Sequence, residues 1–122
     1  MFSFSVSSAF VLLLLLSSSP NVLQDREGAP EKPHNLRAFS DFSGATAVAE
    51  LEWHDGSQNE LGFEVLRSDN SEKFRVIGTV GANTVHYNDK IGKYITGAFA
   101  YKIRAFNQAG KSEASNIVSV WF

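Results

Sequence analysis

The side chains best suited to bind a metal or move a proton near neutral pH are three histidines, His34, His54 and His86. They fall in or beside three separate strands, with no pair two or four positions apart to preorganise an ion, and read as surface residues. The carboxylates Asp55, Glu60, Asp69, Glu72 and Asp89 occupy different loops, without the spacing that converges on calcium, and read as turn and solubility residues. Serine is plentiful, yet no G-x-S-x-G turn presents one, and no histidine is placed to act as its base. Glycine is scattered singly at turns, with no cluster to cradle phosphate. The residues therefore point away from an enzyme and call for no cofactor, no metal and no catalytic residue.

Composition narrows the class further. The chain has 122 residues and a formal net charge of −2, from 11 basic and 13 acidic side chains. A folded part of about 90 residues suits one small domain with a single core. The near balance of charge argues against nucleic acid as a partner. Cysteine is absent, so neither disulfides nor thiolate metal sites assist the packing.

Residues 1–19 have no charged side chain, and an apolar run from Phe10 to Leu16 precedes Ser17, Ser18 and Ser19. That is the shape of a secretory signal peptide, and it implies a secreted or cell-surface protein. An uncleaved anchor is the alternative and the only route by which a membrane would be a partner. Serines at positions 3, 5, 7 and 8 interrupt the roughly 20 apolar residues a span requires. Residues 20–32 carry charges and breakers without periodicity and are expected to be a flexible linker. The domain occupies residues 33–122.

Its organising element is the stretch from Phe99 to Asn107, in which Phe99, Tyr101, Ile103 and Ala105 alternate with Lys102 and Arg104. A period of two predicts a long strand with one buried face. The same alternation places Ala47, Ala49, Leu51 and Trp53 on one face of a strand over 46–54, against Glu50, Glu52 and His54. A first strand carries Leu36 and Ala38. Phe63 and Val65 face inward on a third strand, with Glu64 and Leu66 pointing the other way. A fourth strand spans 73–80, and a short fifth over 84–88 faces Val85 and Tyr87 inward. After a crossover through Gly92 and Gly97 comes the long strand, and a last one is expected from Lys111 to Trp121. The predicted core is Trp53, Leu51, Phe63, Val65, Tyr87, Phe99, Tyr101 and Ile103, and truncating Trp53 to alanine is expected to cost about 3–5 kcal/mol. Seven short strands bounded by turn residues predict an all-β, two-sheet Greek-key sandwich.

The pieces Leu51-Glu52-Trp53, Gly62-Phe63-Glu64-Val65, Tyr87-Asn88-Asp89 and the run from Tyr101 to Ser112 resemble the fibronectin type III domain, in that family's order and at about its spacing. The resemblance covers Pro33 to Val120. It implies an immunoglobulin-like sandwich, with strands one, two and five against three, four, six and seven, serving as a spacer or protein-binding module. In that family the tyrosine corner falls two residues before the Tyr101 position. Here Phe99 stands there, so a hydrogen bond of about 1 kcal/mol is expected to be missing. No Arg-Gly-Asp occurs, so integrin binding does not carry over.

Two surfaces are candidates for a partner. One is the outer face bearing Lys102, Arg104, Phe106 and Leu66, either an ordinary solvated face or a basic patch suited to an acidic protein or polysaccharide. The other is the loop set of Ser57, Gln58 and Asn59 with Lys111, expected at one end of the sandwich. The absence of an N-x-S/T sequon leaves both free of N-linked sugar. Two roles remain: an exported binding or adhesion module recognising an extracellular protein or glycan, and a structural spacer or accessory domain of a larger extracellular protein or enzyme. The ending on Trp121-Phe122, with no polar tail, suits the second.

Overall fold

Alternation becomes burial most cleanly in the two longest strands. In the computed structural model, which describes residues 28–122, every second residue of the strand Thr46–His54 is buried from Ala47 to Trp53, and every second residue of Ala98–Asn107 from Phe99 to Ala105. Each has one face toward the core and one toward water.

In chain order the described elements are β1 (His34–Asp41), a 3₁₀ turn (Ser43–Ala45), β2 (Thr46–His54), β3 (Gly62–Asp69), β4 (Arg75–Gly81), β5 (His86–Lys93), β6 (Ala98–Asn107), β7 (Gly110–Lys111) and β8 (Val118–Trp121). They form two antiparallel sheets. One has the order β1-β2-β5; the other runs β4-β3-β6, with β7 and β8 both on the far edge of β6. Leu36, Ala49, Leu51, Trp53, Phe63, Val65, Phe99, Tyr101, Ile103, Ala105 and Val120 make the core between them. Trp53 is 2% exposed and meets Phe63 edge-on at 5.6 Å. Tyr87 is only partly buried and packs on the margin of the core.

Several expectations need correction. The fifth strand is longer than 84–88 and continues to Lys93, pairing with β2 as far as Thr46, so only a short turn separates it from β6. Val85 stands ahead of it and is exposed; its carbonyl accepts from the Trp53 backbone N–H at 3.0 Å. The last strand is broken. Between β7 and β8 the hydroxyls of Ser112 and Ser115 accept from the Ala105 and Ile103 backbone N–H groups at 2.9 and 3.0 Å. The two serine N–H groups donate to the carbonyls of the same two residues. Serine oxygens thus satisfy β6 where carbonyls would, and no continuous strand is needed. The Asn116 amide then bonds both backbone groups of Leu36, at 2.9 and 3.0 Å, and ties β1 to the opposite sheet.

Residues 28–32, assigned to a flexible linker by composition, lie against the domain. Pro30 is buried, and the Gly28 carbonyl accepts from the Asn59 and Asn107 side chains at 3.2 and 3.1 Å. Composition reports the lack of an internal period but not the presence of a docking surface. The expected signal peptide lies outside the described residues. Among those described, no helix is long and apolar enough to cross a membrane.

Candidate binding surfaces

The outer face of the five-stranded sheet follows from the register of β3 and β6. Glu64 stands opposite Arg104, and Leu66 opposite Lys102. Arg104 binds the Glu64 carboxylate through Nε and Nη2, at 3.0 and 2.8 Å, and Lys111 reaches its other oxygen at 3.2 Å. Burial works to raise the Glu64 pKa, but the bonds from Arg104 and Lys111 outweigh it and hold the carboxyl below its usual range. Lys102 lies over the Phe74 ring, 4.3 Å from its centre. Both cations of the expected basic patch, and Lys111 from the expected loop set, are therefore already engaged within the domain. Phe106 folds down onto Gly62, where an added Cβ would stand 3.0 Å from the ring.

Leu66 is a correction. It was expected as an exposed contact on this face but is 6% exposed. β3 is an inner strand, so Leu66 has Lys102 on one side and Val76 on the other. The long lysine stem covers it while the ammonium reaches out.

At one end of the sandwich three loops are tied together by side chains. Glu60 is 7% exposed, a correction to its reading as a solvated loop acid. Its carboxylate accepts from the Ser57 hydroxyl at 2.8 Å and from the Asn83 backbone N–H at 3.1 Å. Those bonds, with one from Asp55, overcome the burial that would raise its pKa and lower it; burial raises that of Asp55 beside it. The Asn107 amide reaches the Asn59 carbonyl at 3.2 Å as well as Gly28. Ser57 and Asn59 are half-buried members of this network, while Gln58 and Lys111 are exposed. A hollow of about 350 Å³ runs between loop residues 56–59 and Ala29 and Glu31. Leu61, at the end of the same loop, stands 53% exposed. A single leucine in the polar stretch DGSQNEL was the signal available.

The same end holds an arrangement that chain spacing concealed. His34 pairs with His54 across β1 and β2, and their rings meet edge-on with centres 5.5 Å apart. His86 is on β5, across β2 from His34 and opposite Glu52, and lines a shallow hollow with His54. Among the described residues no group of three or more His, Cys, Asp or Glu converges on a point.

No family model and no curated protein matches the sequence. Solved structures do resemble it. The FN1–FN3 domains of chicken CNTN1 align with a TM-score of 0.64 at 15% identity, over 77% of this chain and 32% of that one. An Fn3-like protein from Clostridium thermocellum aligns with a TM-score of 0.59 at 22% identity, over 75% and 92%. The sixth fibronectin type III domain of human fibronectin type III domain containing protein 3 gives 0.56 at 15%, over 75% and 83%. The chain has the fibronectin type III fold. It spans about a third of the CNTN1 fragment's length.

In the fibronectin type III frame the Phe99 position takes on a different role from the expected empty corner. Its ring lies 5.7 Å from the Arg67 guanidinium and packs edge-on against Phe122. Arg67 points inward on β3 and joins the sheets: it binds Asp69 at 2.6 Å and Asp89 on β5 at 2.8 Å. The Tyr101 hydroxyl donates to the same Asp89 oxygen at 2.7 Å. This bond, two residues later in the strand and directed to a side chain of the opposite sheet, is a different one from the corner bond that Phe99 does not make. Asp69 and Asp89, taken for loop acids, are strand residues of this network. Burial, then the bond to Asp89, pushes the Tyr101 hydroxyl far above its ordinary pKa. Arg67 is raised because its bonds to Asp69 and Asp89 outweigh burial. Arg75, on the neighbouring β4, reaches the second oxygen of Asp69 at 3.2 Å, and the chemistry of the network is that of a clamp.

Proposed function

We propose that this fibronectin type III domain is a non-catalytic binding module, exported to the cell exterior or surface, that engages a protein partner through its tied loop end. The observation that supports this reading is the bonding of Glu60 to Ser57 and Asn83, and of Asn107 to Asn59. It orders three loops before any partner arrives, lowering the entropy cost of binding. Gln58 and Leu61 then offer one polar and one apolar contact on a rigid support. The sheet face is the weaker candidate, because Arg104 and Lys111 are spent on Glu64.

The test is to capture a partner by cross-linking from the extracellular fraction and titrate it against variants. Paired Gln58→Ala and Leu61→Asp substitutions are expected to weaken binding about tenfold or more. Charge reversal at Lys102 and Arg104 should change it far less and mainly through its salt dependence. The opposite ranking would move the site to the sheet face. A spacer role draws on the matched structures that are tandem arrays, such as the FN1–FN3 domains of CNTN1 and domains A168–A170 of titin. It predicts no saturable partner and a longer native polypeptide on a blot.

A further inference from the structure

We infer that His34 and His54 form a cross-strand site for a divalent transition-metal ion of borderline softness, with Asn35 as its positioning residue. The inference does not depend on the loop end being a protein-binding surface.

Geometry comes first. An ion held at about 2.1 Å by one nitrogen of each ring sits about 3.2 Å from each ring centre, so a tetrahedral angle separates the centres by about 5.2 Å. The observed separation is 5.5 Å, with the ring planes at 77°. The separation therefore suits a shared ion, which enters once the exposed rings turn about their side-chain bonds to bring one nitrogen of each toward it. Both histidines are exposed, so its path is open.

Local structure explains how the pair is held. The β1–β2 register shifts between His34 and Arg37, and Asn35 within that bulge has φ of 56°, a left-handed conformation that asparagine tolerates better than most residues. Bulges re-aim side chains, and this one directs the Asn35 amide onto His54, with Nδ2 3.3 Å from Nδ1. With the amide turned over, its oxygen accepts a hydrogen bond from the protonated Nδ1. That leaves the Nε2 lone pair for a metal, the outer-sphere arrangement metal-bound histidines adopt. On the other side His34 rests against Gly56, where an added Cβ would stand 3.3 Å from ring atom Cδ2 and closer still to the Lys32 carbonyl. A side chain at 56 would clash with that carbonyl and press on the ring.

Charge and donor type set the class of ion. Arg37, the nearest cation on β1, is bound to Glu52 at 2.8 Å, which offsets its repulsion. Two imidazoles with water completing the shell suit Cu²⁺, Zn²⁺ or Ni²⁺ and not the oxygen-seeking Ca²⁺ or Mg²⁺.

The full chain is titrated with CuSO₄, ZnCl₂ and CaCl₂ by calorimetry at neutral pH. One equivalent of Cu²⁺ is expected to bind more tightly than Zn²⁺, with no Ca²⁺ uptake. Lowering the pH to about 5.5 should abolish binding, as protonated imidazole cannot ligate. His34→Gln or His54→Gln is expected to weaken binding about tenfold or more, Asn35→Ala measurably, and His86→Gln less than twofold. Substoichiometric Cu²⁺ in the unmutated chain should broaden the His34 and His54 imidazole resonances before that of His86, a readout independent of how any variant folds. Failure of Zn²⁺ and Cu²⁺ to bind at millimolar concentration would overturn the site. So would equal loss on His86→Gln, retention of binding in the double variant His34→Gln/His54→Gln, or broadening of His86 first.

Discussion

The two ends of this sandwich are held by different chemistry. Toward one end, between the sheets, Arg67, Asp69, Asp89 and Tyr101 make charge-assisted bonds that cross from β3 and β6 to β5. At the other, Glu60, Ser57, Asn59, Asn83 and Asn107 join loops to one another with mostly neutral donors. The first network lies mostly inside the fold and reaches the surface only where Asp69 meets Arg75. The second lies under exposed Gln58 and Leu61 and shapes what a partner meets. Polar bonds at the first end resist separation of the sheets, whereas those at the second reduce the number of loop conformations.

The sharpest test of that division is Asp89→Ala. It removes at once one of the two carboxylates that hold the Arg67 guanidinium and the acceptor of the buried Tyr101 phenol, and should cost about 3 kcal/mol in urea unfolding. Glu60→Ala removes an acceptor from one hydroxyl and one backbone N–H, for an expected loss of about 1–3 kcal/mol. If the two costs were equal, the loop network would be as much a part of the fold as the clamp, and the contrast would fail. Tyr101→Phe isolates one bond of the clamp and should cost about 1 kcal/mol by the same measurement. Asn107→Ala is expected to change global stability by less than about 1 kcal/mol. Its effect belongs instead in faster amide exchange across residues 57–60, and a large global loss with unchanged exchange would contradict the assignment.

Acid should separate the ends as well. The Asp69 carboxyl is held low chiefly by its bond to Arg67. Because its folded pKa lies below the unfolded value of about 3.9, its stabilisation is complete above that pH and fades as pH falls through the depressed value. At the loop end Asp55 is raised and Glu60 lowered, so their contributions oppose each other. Asp69→Asn is therefore expected to flatten the acid limb of a stability curve measured between pH 5 and 2, and the double variant Asp55→Asn/Glu60→Gln to change that limb less than Asp69→Asn does.

Much of the architecture was legible because β2 and β6 keep strict alternation. Their partners then had to supply apolar faces, and Phe63, Val65 and Leu36 did. Legibility ended where parity no longer implied environment. Leu66 keeps outward parity yet is covered by its cross-strand neighbours. Arg67 shares the inward parity of Val65 and carries its charge into the sandwich, because Asp89 waits on the other sheet. The candidate loops were visible as polar, punctuated segments, but neither the burial of Glu60 nor the exposure of Leu61 follows from composition.

By itself the order of residues determined which segments extend, which face of each is apolar, and that no cysteine would help hold them together, since these depend on neighbours in the chain. Tertiary structure alone decided which strand stands beside which. That choice brought Asp89 to Arg67, Asn83 to Glu60 and His34 to His54, pairs distant in sequence whose proximity rests on sheet register and closure, about which a local pattern carries no information.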